Sequence, residues 1–547
     1  MERQASSRRV GWWFVETSPS AKERNAVKSF LHKHVASVIG VLSGFDRLVF
    51  RGSLREICYA AGMRRYLWQA KVLLKEFGGH VDAVSERIKA ASIKKAKTLG
   101  REVCYLASAR TRKETVAREI AARDGITEGL VCVLKCVEPC ASFEIYRNAK
   151  AKRLELQPRL RKCLHYYHYW LHPKLGLMHA RIQTWFPFTI QVCLNGREWL
   201  ARRLDQAGVG YRKQENCFVR LEDVKRAQKL FDGQLRTAWP ELLDGIARQL
   251  NPVHAEIFGA WPLSYYWSTH QSEWATDIMF KDADALAGMY PRLLQHAMTG
   301  FGSLDVMRFL GCKGLATGAI HGNFAGQVVS DLKARPEGVR IKHRVNGNSI
   351  KMYDKQGSVL RVETTINDPK DFKVYRPKEG GRADDLAWRT MRRGVADLQR
   401  RAKVSQAANE RYLDALAEVD ADKPLRELTD GLCCPIQWKG KRVRALHPWG
   451  QDAAWLEVIG RGEFTINGFR NRDLRHHLFA CQPSSPQATR RQSGQVTRRL
   501  RLLRAHGLIR KVPRTHRYQL TDKGRAVVVA LNAARNASPR QLTQLAA

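Results

Sequence analysis

Ser349-Ile-Lys-Met-Tyr-Asp-Lys355 and Leu360-Arg-Val-Glu-Thr-Thr-Ile366 alternate apolar and polar residues around a turn at Asp354-Lys-Gln-Gly357. A period of two is the pleat of a β-strand, and two such runs about a glycine turn make an antiparallel hairpin. Ile350, Met352, Leu360, Val362 and Thr364 form the inward set, while Lys351, Tyr353, Lys355, Arg361 and Glu363 point the other way. Tyr353, Lys355, Arg361 and Glu363 thus share one face. Such a group suits phosphoryl transfer, with the tyrosine as nucleophile, the carboxylate on a divalent metal and the cations on phosphate. The competing reading is a cross-strand ladder of ion pairs and tyrosine, or a platform that grips nucleic acid without cutting it. Tyr375, in Phe372-Lys-Val-Tyr-Arg376, is a second candidate nucleophile.

Outward from the hairpin the pattern changes repeatedly between strand and helix periods. Residues 56–77, 81–99 and 113–123 have helical spacing, Val103-Cys-Tyr-Leu106 and Leu130-Val-Cys-Val-Leu134 read as strands, and residues 163–170 and 177–185 flank the turn His172-Pro-Lys-Leu-Gly176 as another hairpin. Helical spacing returns around 240–249 and 282–299, and residues 382–419 form a long charged helical segment with few apolar positions. The expected organisation is a multidomain α+β chain. It comprises a flexible arm over 1–26, a mixed α/β basic domain over 27–240, an α+β domain over 241–380 with the 341–366 hairpin, a helical connector over 381–436 and a C-terminal module over 437–547.

Lys and Arg number 94 against 52 Asp and Glu, a net +42. A compact fold with that surplus repels itself unless an anion neutralises it, and nucleic acid does so through phosphate contacts that release counterions. An anionic membrane surface competes, but the charge is spread over several segments instead of one juxtamembrane cluster. Neither a long apolar window nor a signal-peptide core is present, so the expectation is a cytoplasmic protein without a membrane partner, of open oligomeric state. The 12 cysteines have no framework spacing, and reduced thiols without disulfides are expected.

Within the C-terminal module the clearest motif starts with Asn471-Arg-Asp-Leu-Arg-His-His-Leu478 as a helix, followed by a Pro/Ser turn and a helix over 493–506 with Val496, Leu500 and Leu503 on one face. Residues 508–520 then read as strand, basic tip and strand, and Thr521-Asp-Lys-Gly524 caps a last helix. From Leu474 to Thr521 there is no Asp or Glu, while Arg475, Arg490, Arg491, Arg498, Arg499, Arg501, Arg504, Arg510, Lys511, Arg514 and Arg517 are positive. Val496-Thr-Arg-Arg-Leu-Arg-Leu-Leu-Arg-Ala-His-Gly-Leu-Ile509 and Gln519-Leu-Thr-Asp-Lys-Gly524 resemble the winged helix-turn-helix of the MarR type, over about 80 residues. The resemblance implies a helix in a major groove and a basic wing on the flanking backbone. MarR regulators are small dimers, and this module is under a fifth of the chain. Residues 349–375 resemble a segment of plasmid and phage rolling-circle replication initiators, without the paired histidines that many of those nickases use for metal. The whole chain resembles a group of bacterial proteins that end in a MarR-like winged helix, a likeness that brings no activity with it.

Arg159-Leu-Arg-Lys-Cys-Leu-His-Tyr-Tyr-His-Tyr-Trp170 interleaves cations with rings. Arg159, Arg161 and Lys162 would take phosphates and Tyr166 and Tyr167 would stack unpaired bases, unless the rings are core. His165, His168 and His172 with Cys163 match no zinc spacing, and Cys132, Cys136 and Cys140 read as core, so no metal site is expected there. Asp46, Glu138, Asp277 and Glu363 lie in or beside apolar stretches, and whether they converge as nuclease carboxylates stays open. The glycine-rich stretch 311–326 lacks the phosphate-loop motifs. The leading expectation is a nucleic-acid-binding protein with a broad cationic surface, holding structured RNA or long DNA in a ribonucleoprotein or mobile element. The alternatives are a metal-dependent DNA nicking or joining enzyme, with Mg²⁺ and Tyr353, Lys355, Arg361 and Glu363, and a winged-helix transcriptional regulator. No other cofactor is implied, and enzymatic activity stays open.

Overall fold

The alternating runs pair into a sheet that no single segment could complete. The computed structural model describes residues 26–311, 328–335, 338–378, 381–382, 384–417, 425–461, 464, 468–479, 485–512 and 515–538. Its strands begin with β1 (Val38–Ser53), β2 (Glu102–Leu106), β3 (Gly129–Asn148), β4 (Arg153–His172), β5 (Gly176–Gln183), β6 (Ile190–Asn195), β7 (Tyr211–Gln214) and β8 (Cys217–Leu221). They continue with β9 (Tyr266–Phe280), β10 (Val328–Arg335), β11 (Gly338–Val345), β12 (Asn348–Lys355) and β13 (Val359–Ile366).

All but the separate β7–β8 pair join an 11-stranded sheet in the order β10-β11-β12-β13-β9-β1-β6-β5-β4-β3-β2. Only β2 and β3 are parallel neighbours. The winding is the same on either side of the centre. The meander from β3 to β6 returns its last strand to β1, the meander from β10 to β13 returns its last strand to β9, and β1 lies antiparallel to β9 between them. The segments expected as two domains, 27–240 and 241–380, therefore share one sheet. β1 has two edges of backbone donors and acceptors, and only β6 and β9 together satisfy both.

Beyond the centre, helices Tyr290–Thr299, Ser303–Phe309 and Leu398–Leu416 bring Tyr290, Leu293, Val306, Phe309, Tyr412 and Leu413 onto Ile278, Ile350, Met352, Leu360 and Val362. The last helix corrects the expected connector over 381–436. Ala402, Ser405 and Ala408 are buried and small, which lets it lie close to β9 and β13. Its buried polar residues are bonded to the sheet: Arg401 donates to the carbonyls of Thr269 (3.0 Å) and Ile366 (3.2 Å). Asn409 accepts from Thr364 Oγ1 (2.7 Å) and donates to the Val362 carbonyl (3.0 Å) and Thr276 Oγ1 (3.1 Å). In the other half Leu48, Phe50, Tyr166, Ile182 and Val192 pack with Leu67, Val81, Ile88, Trp239 and Leu243.

Beyond residue 425 a further core forms around buried Leu456, Leu474, Val496, Leu500, Leu503, Leu508 and Leu531. Helices Asn471–Leu478 and Pro486–Ala505 precede the paired strands Ile509–Lys511 and Tyr518–Leu520, and helix Asp522–Asn536 follows, the order read from the sequence. Thr521 caps that helix by accepting from the Gly524 amide. The basic tip at 513–514, the arm up to residue 25 and most of the glycine-rich stretch lie outside the described residues. No helix among the described residues is long and apolar enough to cross a membrane. One expectation about thiols fails: Cys140 and Cys163, near neighbours on β3 and β4, form a disulfide.

Asn409→Ala removes the acceptor of Thr364 Oγ1 and the donor to the Val362 carbonyl and Thr276 Oγ1 in the interior. Chemical denaturation should register a loss of about 2–4 kcal/mol. A loss below about 0.5 kcal/mol would show that the helix does not depend on these bonds.

Candidate functional site

The register of β12 against β13 decides which side chains meet. Lys351 stands opposite Glu363 and Tyr353 opposite Arg361, whereas Lys355 stands opposite Val359 beside the turn. Gln356 (φ 57°) and Gly357 (φ 72°) close that turn in the left-handed region. Glu363 is ion-paired with Lys351, and its Oε2 accepts from the Tyr353 hydroxyl at 2.7 Å. Lys355 instead lies 4.0 Å from Glu215, away from this group, so the expected quartet is corrected at that position.

The neighbouring strands complete the site. β9 sets Asp277 opposite Arg361 and Glu273 opposite Thr365, and an irregularity in β1 between Phe45 and Arg47 brings Asp46 to the same face. Carboxylate oxygens of Asp46, Glu273 and Glu363, one from each of three adjacent strands, lie within 4.8 Å of one another. Such an all-oxygen set fits a hard divalent cation such as Mg²⁺. Arg361 is not free to meet phosphate. It is buried, with Nη2 on Asp277 at 2.7 Å and on the Asn216 carbonyl at 3.0 Å, and Nη1 3.4 Å from Asp46. Arg197, also buried, donates to Asp277 Oδ2 at 2.7 Å, the oxygen that Arg361 Nη2 also meets. Its helix, Gly196–Ala207, starts so close to β1 that a Cβ at Gly196 would meet the Phe45 carbonyl oxygen at 1.6 Å.

Electrostatics separate the groups. Burial opposes the Asp277 charge, but Arg197 and Arg361 outweigh it and hold the carboxyl below its usual range. Burial and the charge of Glu363 push Glu273 up to about 7. For Glu363 burial is outweighed by Lys351 and by the hydrogen bonds from Lys351 and Tyr353, and the group stays ionised. Burial, then the Glu363 charge, push the Tyr353 phenol well above its ordinary value.

Beyond the carboxylates the sheet face is polar and partly open. The register aligns exposed Arg47 and Arg51 of β1 with Gln191 and Cys193 of β6, His179 and Arg181 of β5, and Gln271 of β9. On the other side Lys342 stands opposite Lys351, and burial with the charges of Lys351, Arg340 and Arg344 pushes the Lys342 ammonium below its usual value. A second tyrosine–carboxylate group lies on β3 to β5, where Tyr167 donates to Glu138 at 2.7 Å and Glu138 also meets Arg181 (2.6 Å) and Lys113 (3.1 Å).

That arrangement corrects the expected stacking surface. Tyr166 and Tyr167 are buried because helices cover both faces of β4 at these positions. Arg159 pairs with Glu144, Arg161 lies over the Trp185 ring at 4.7 Å, and Lys162 is exposed. Cys140, Cys163 and His165 form the other group of three potential ligand atoms within 4.8 Å among the described residues, with the two sulfurs already bonded to each other. Tyr375 stands on a separate two-stranded sheet, Lys373–Pro377 with Leu386–Thr390, and is no part of the carboxylate group.

In the C-terminal helix Pro486–Ala505, Arg490, Arg491, Arg498 and Arg501 are exposed and make no ion pair among the described residues. Arg510 and Lys511 are exposed on the hairpin. Arg499 is engaged by Asp452, Arg504 lies 5.7 Å over the Trp438 ring, and Arg517 is buried 3.5 Å from the Gly468 carbonyl, so these three hold the module together. Arg514 lies outside the described residues. The sequence reading missed Lys351 as the partner of Glu363, and it missed Glu273 and Arg197. Glu273 carried a signal, an acid inside the otherwise apolar or neutral run Ser272-Glu-Trp-Ala-Thr276; Arg197 carried none.

Glu273 titrates near 7 in the folded chain and near its ordinary 4.5 when unfolded, so the folded state binds the extra proton between those values. Stability attributable to this group is therefore lost as pH rises through that window. Glu273→Gln should remove the loss, gaining on the order of 1–3 kcal/mol over wild type at pH 8 relative to pH 5. Parallel denaturation profiles for the two proteins across that range would refute the assignment.

No family model, curated protein or solved structure matches the chain.

Proposed function

We propose that this chain is a nucleic-acid-binding protein whose cationic surfaces hold structured RNA or long DNA in the cytoplasm, as part of a ribonucleoprotein or a mobile element. The observation that carries the reading is the stripe of exposed arginines on helix Pro486–Ala505, Arg490, Arg491, Arg498 and Arg501, without a carboxylate partner among the described residues. From Arg490 to Arg501 the stripe spans about 16 Å of helix, enough to bridge several phosphates. Its setting between a short helix and a basic hairpin suits the winged-helix mode of contact suggested by the MarR resemblance. Arg47, Arg51 and Lys342 on the sheet face add a second surface, where the charges of Lys351, Arg340 and Arg344 crowd the Lys342 ammonium in a manner that an anion relieves.

Replacing Arg490, Arg491, Arg498 and Arg501 together by Gln should weaken binding of the full chain to a duplex and lower the slope of log affinity against log salt by about 3–4. Fluorescence anisotropy across a salt series measures both. Unchanged affinity and slope would remove the helix from the interface.

A second reading, metal-dependent nicking or joining, is favoured by one observation, the Tyr353–Glu363 hydrogen bond beside the carboxylates of Asp46 and Glu273. The phenol oxygen would attack phosphorus, the leaving hydroxyl would depart, and Tyr353 would retain a phosphodiester bond to the cut strand. Mg²⁺ held by the three carboxylates would supply charge neutralisation at the phosphate. Under this reading, denaturing gels with labelled DNA and Mg²⁺ or Mn²⁺ show a covalent adduct. Tyr353→Phe abolishes it, Glu363→Gln reduces it at least a hundredfold, and Tyr375→Phe leaves it intact. Absence of any adduct with wild type under both metals leaves the binding reading alone in place.

A further inference from the structure

We infer that the cleft between the β7–β8 hairpin and the end of β9 binds a nucleotide, with Arg212, Arg220 and Lys281 taking its phosphates and an apolar floor taking its base. The inference does not depend on the nucleic-acid reading, because a free nucleotide and the phosphorylated end of a strand offer the same chemistry there. The cleft measures about 680 Å³, within the range of small-molecule sites. Buried Val219, Leu221 and Met279 line it, and Ile39, 43% exposed, extends the apolar lining outward. Three cations share the same lining with one carboxylate, Asp282.

The cations are held together without an anion of their own. Arg212 of β7 stands directly opposite Arg220 of β8. Like charges in that position repel, and an anion between them converts the repulsion into charge-assisted hydrogen bonds. Arg212, Arg220 and Lys281 are exposed, and their side chains form no ion pair or hydrogen bond among the described residues. The carboxylates nearby are bonded elsewhere. Asp282 accepts from the Ala285 amide at 2.8 Å, Asp223 from the Arg226 amide at 2.8 Å and Glu222 from the Gly210 amide at 2.9 Å. Glu215, in the turn of the hairpin, lies 4.0 Å from Lys355 and accepts from Gln356 Nε2 at 3.3 Å.

The backbone around the cleft is fixed before a ligand arrives. The Phe280 amide donates to the Ser358 carbonyl and the Lys281 amide to the Ser37 carbonyl, both at 2.9 Å, which holds the segment carrying Lys281 in place. A Cβ at Gly40 of β1 would meet Val224 at 2.7 Å and Met279 at 2.9 Å, so the floor is closely packed from behind. Such a site pays little ordering penalty on binding. An apolar floor with a cationic rim suits an anion that also carries a ring, which distinguishes a nucleotide from inorganic phosphate, and a concave site suits a small ligand or a strand end better than the side of a duplex. The same hairpin reaches the carboxylate group, where Asn216 donates to Asp46 at 3.0 and 3.1 Å and its carbonyl accepts from Arg361 at 3.0 Å. A nucleotide in the cleft is therefore separated from that group by one hairpin.

Fluorescence titration of the full-length protein with mant-ADP tests this. Arg212→Gln and Arg220→Gln should each weaken binding about tenfold, and mant-adenosine, which lacks phosphate, should bind at least about tenfold more weakly than mant-ADP. Arg248→Gln, at an exposed position of helix Trp239–Leu250 outside the cleft, should bind as wild type does. Unlabelled ADP should displace the probe at concentrations about tenfold or more below those of pyrophosphate, which has the charge but no base. Displacement by ADP and not by oligo-dT carrying a terminal phosphate marks a free nucleotide as the occupant, displacement by both marks a strand end, and either result supports the cleft. Wild-type affinity in the two glutamine variants at Arg212 and Arg220, or no binding of mant-ADP by wild type, overturns the inference, while duplex binding measured separately decides the nucleic-acid reading. An equal loss in Arg248→Gln overturns it as general charge attraction, and equal displacement by pyrophosphate overturns the nucleotide as the ligand.

Discussion

The contact that the centre of the sheet depends on is Asp277 held between two buried arginines. Arg361 reaches it along the neighbouring strand and Arg197 from the start of a helix. A lone buried carboxylate or guanidinium is strongly destabilising, and removing one partner from such a group typically costs about 3–5 kcal/mol. The three groups are tolerable only together, which ties three distant parts of the chain into one place. The close start of helix Gly196–Ala207, the irregularity at Asp46 and the Asn216 carbonyl bonded to Arg361 all serve that closure. Arg361 is thereby committed to structure, and Arg47 and Arg51 of β1 are exposed on the open face.

The doubled winding explains why carboxylates gather there and not elsewhere. β1 and β9 are the first strands of their respective halves, and each receives the last strand of its own meander. The seam between them is where residues from both halves come within reach, and Asp46, Glu273 and Glu363 are contributed by β1, β9 and β13 around it. One side of the sheet is closed by helix Leu398–Leu416 and its neighbours. Much of the polar side is left with Arg47, Arg51, Lys342 and Gln271 exposed or half-buried. A core face and a working face therefore arise from the same strands by pleating alone.

The hairpin over 349–366 was legible because its period of two and its glycine turn are local signals, and the shared face of Tyr353, Arg361 and Glu363 followed from them. The identity of the cation beside Glu363 was not. Lys351 and Lys355 lie on the same face, and only the register, set by a turn with two residues at positive φ, selects Lys351. The aromatic run at 163–170 was legible as a strand, but burial of both its faces is a tertiary property that no spacing conveys. Helix Leu398–Leu416 read as a connector because small and hydrogen-bonded residues, Ala402, Ser405, Ala408 and Asn409, line the middle of its buried side, with leucines only towards its ends. The shared sheet was hidden for a related reason. Pairing between β1 and β9 joins residues more than 200 positions apart, and their sequences carry no mark of each other.

The carboxylates also decide what the Tyr353 phenol can do. Its hydrogen-bond acceptor is Glu363, yet Lys351 holds Glu363 in its weakly basic, ionised form. Glu273, within reach of the same oxygens and pushed up to about 7, is the more basic of the two. Two carboxyl groups whose environments drive their proton affinities apart are the usual division between a stabilising charge and a proton acceptor. In the nicking reading a proton leaving Tyr353 would be passed through Glu363 and kept by the Glu273–Glu363 pair, while a divalent cation at the same oxygens would compete with that proton. Holding a metal at these oxygens therefore needs Glu273 ionised, and its burial beside the charged Glu363 works against that until a cation arrives.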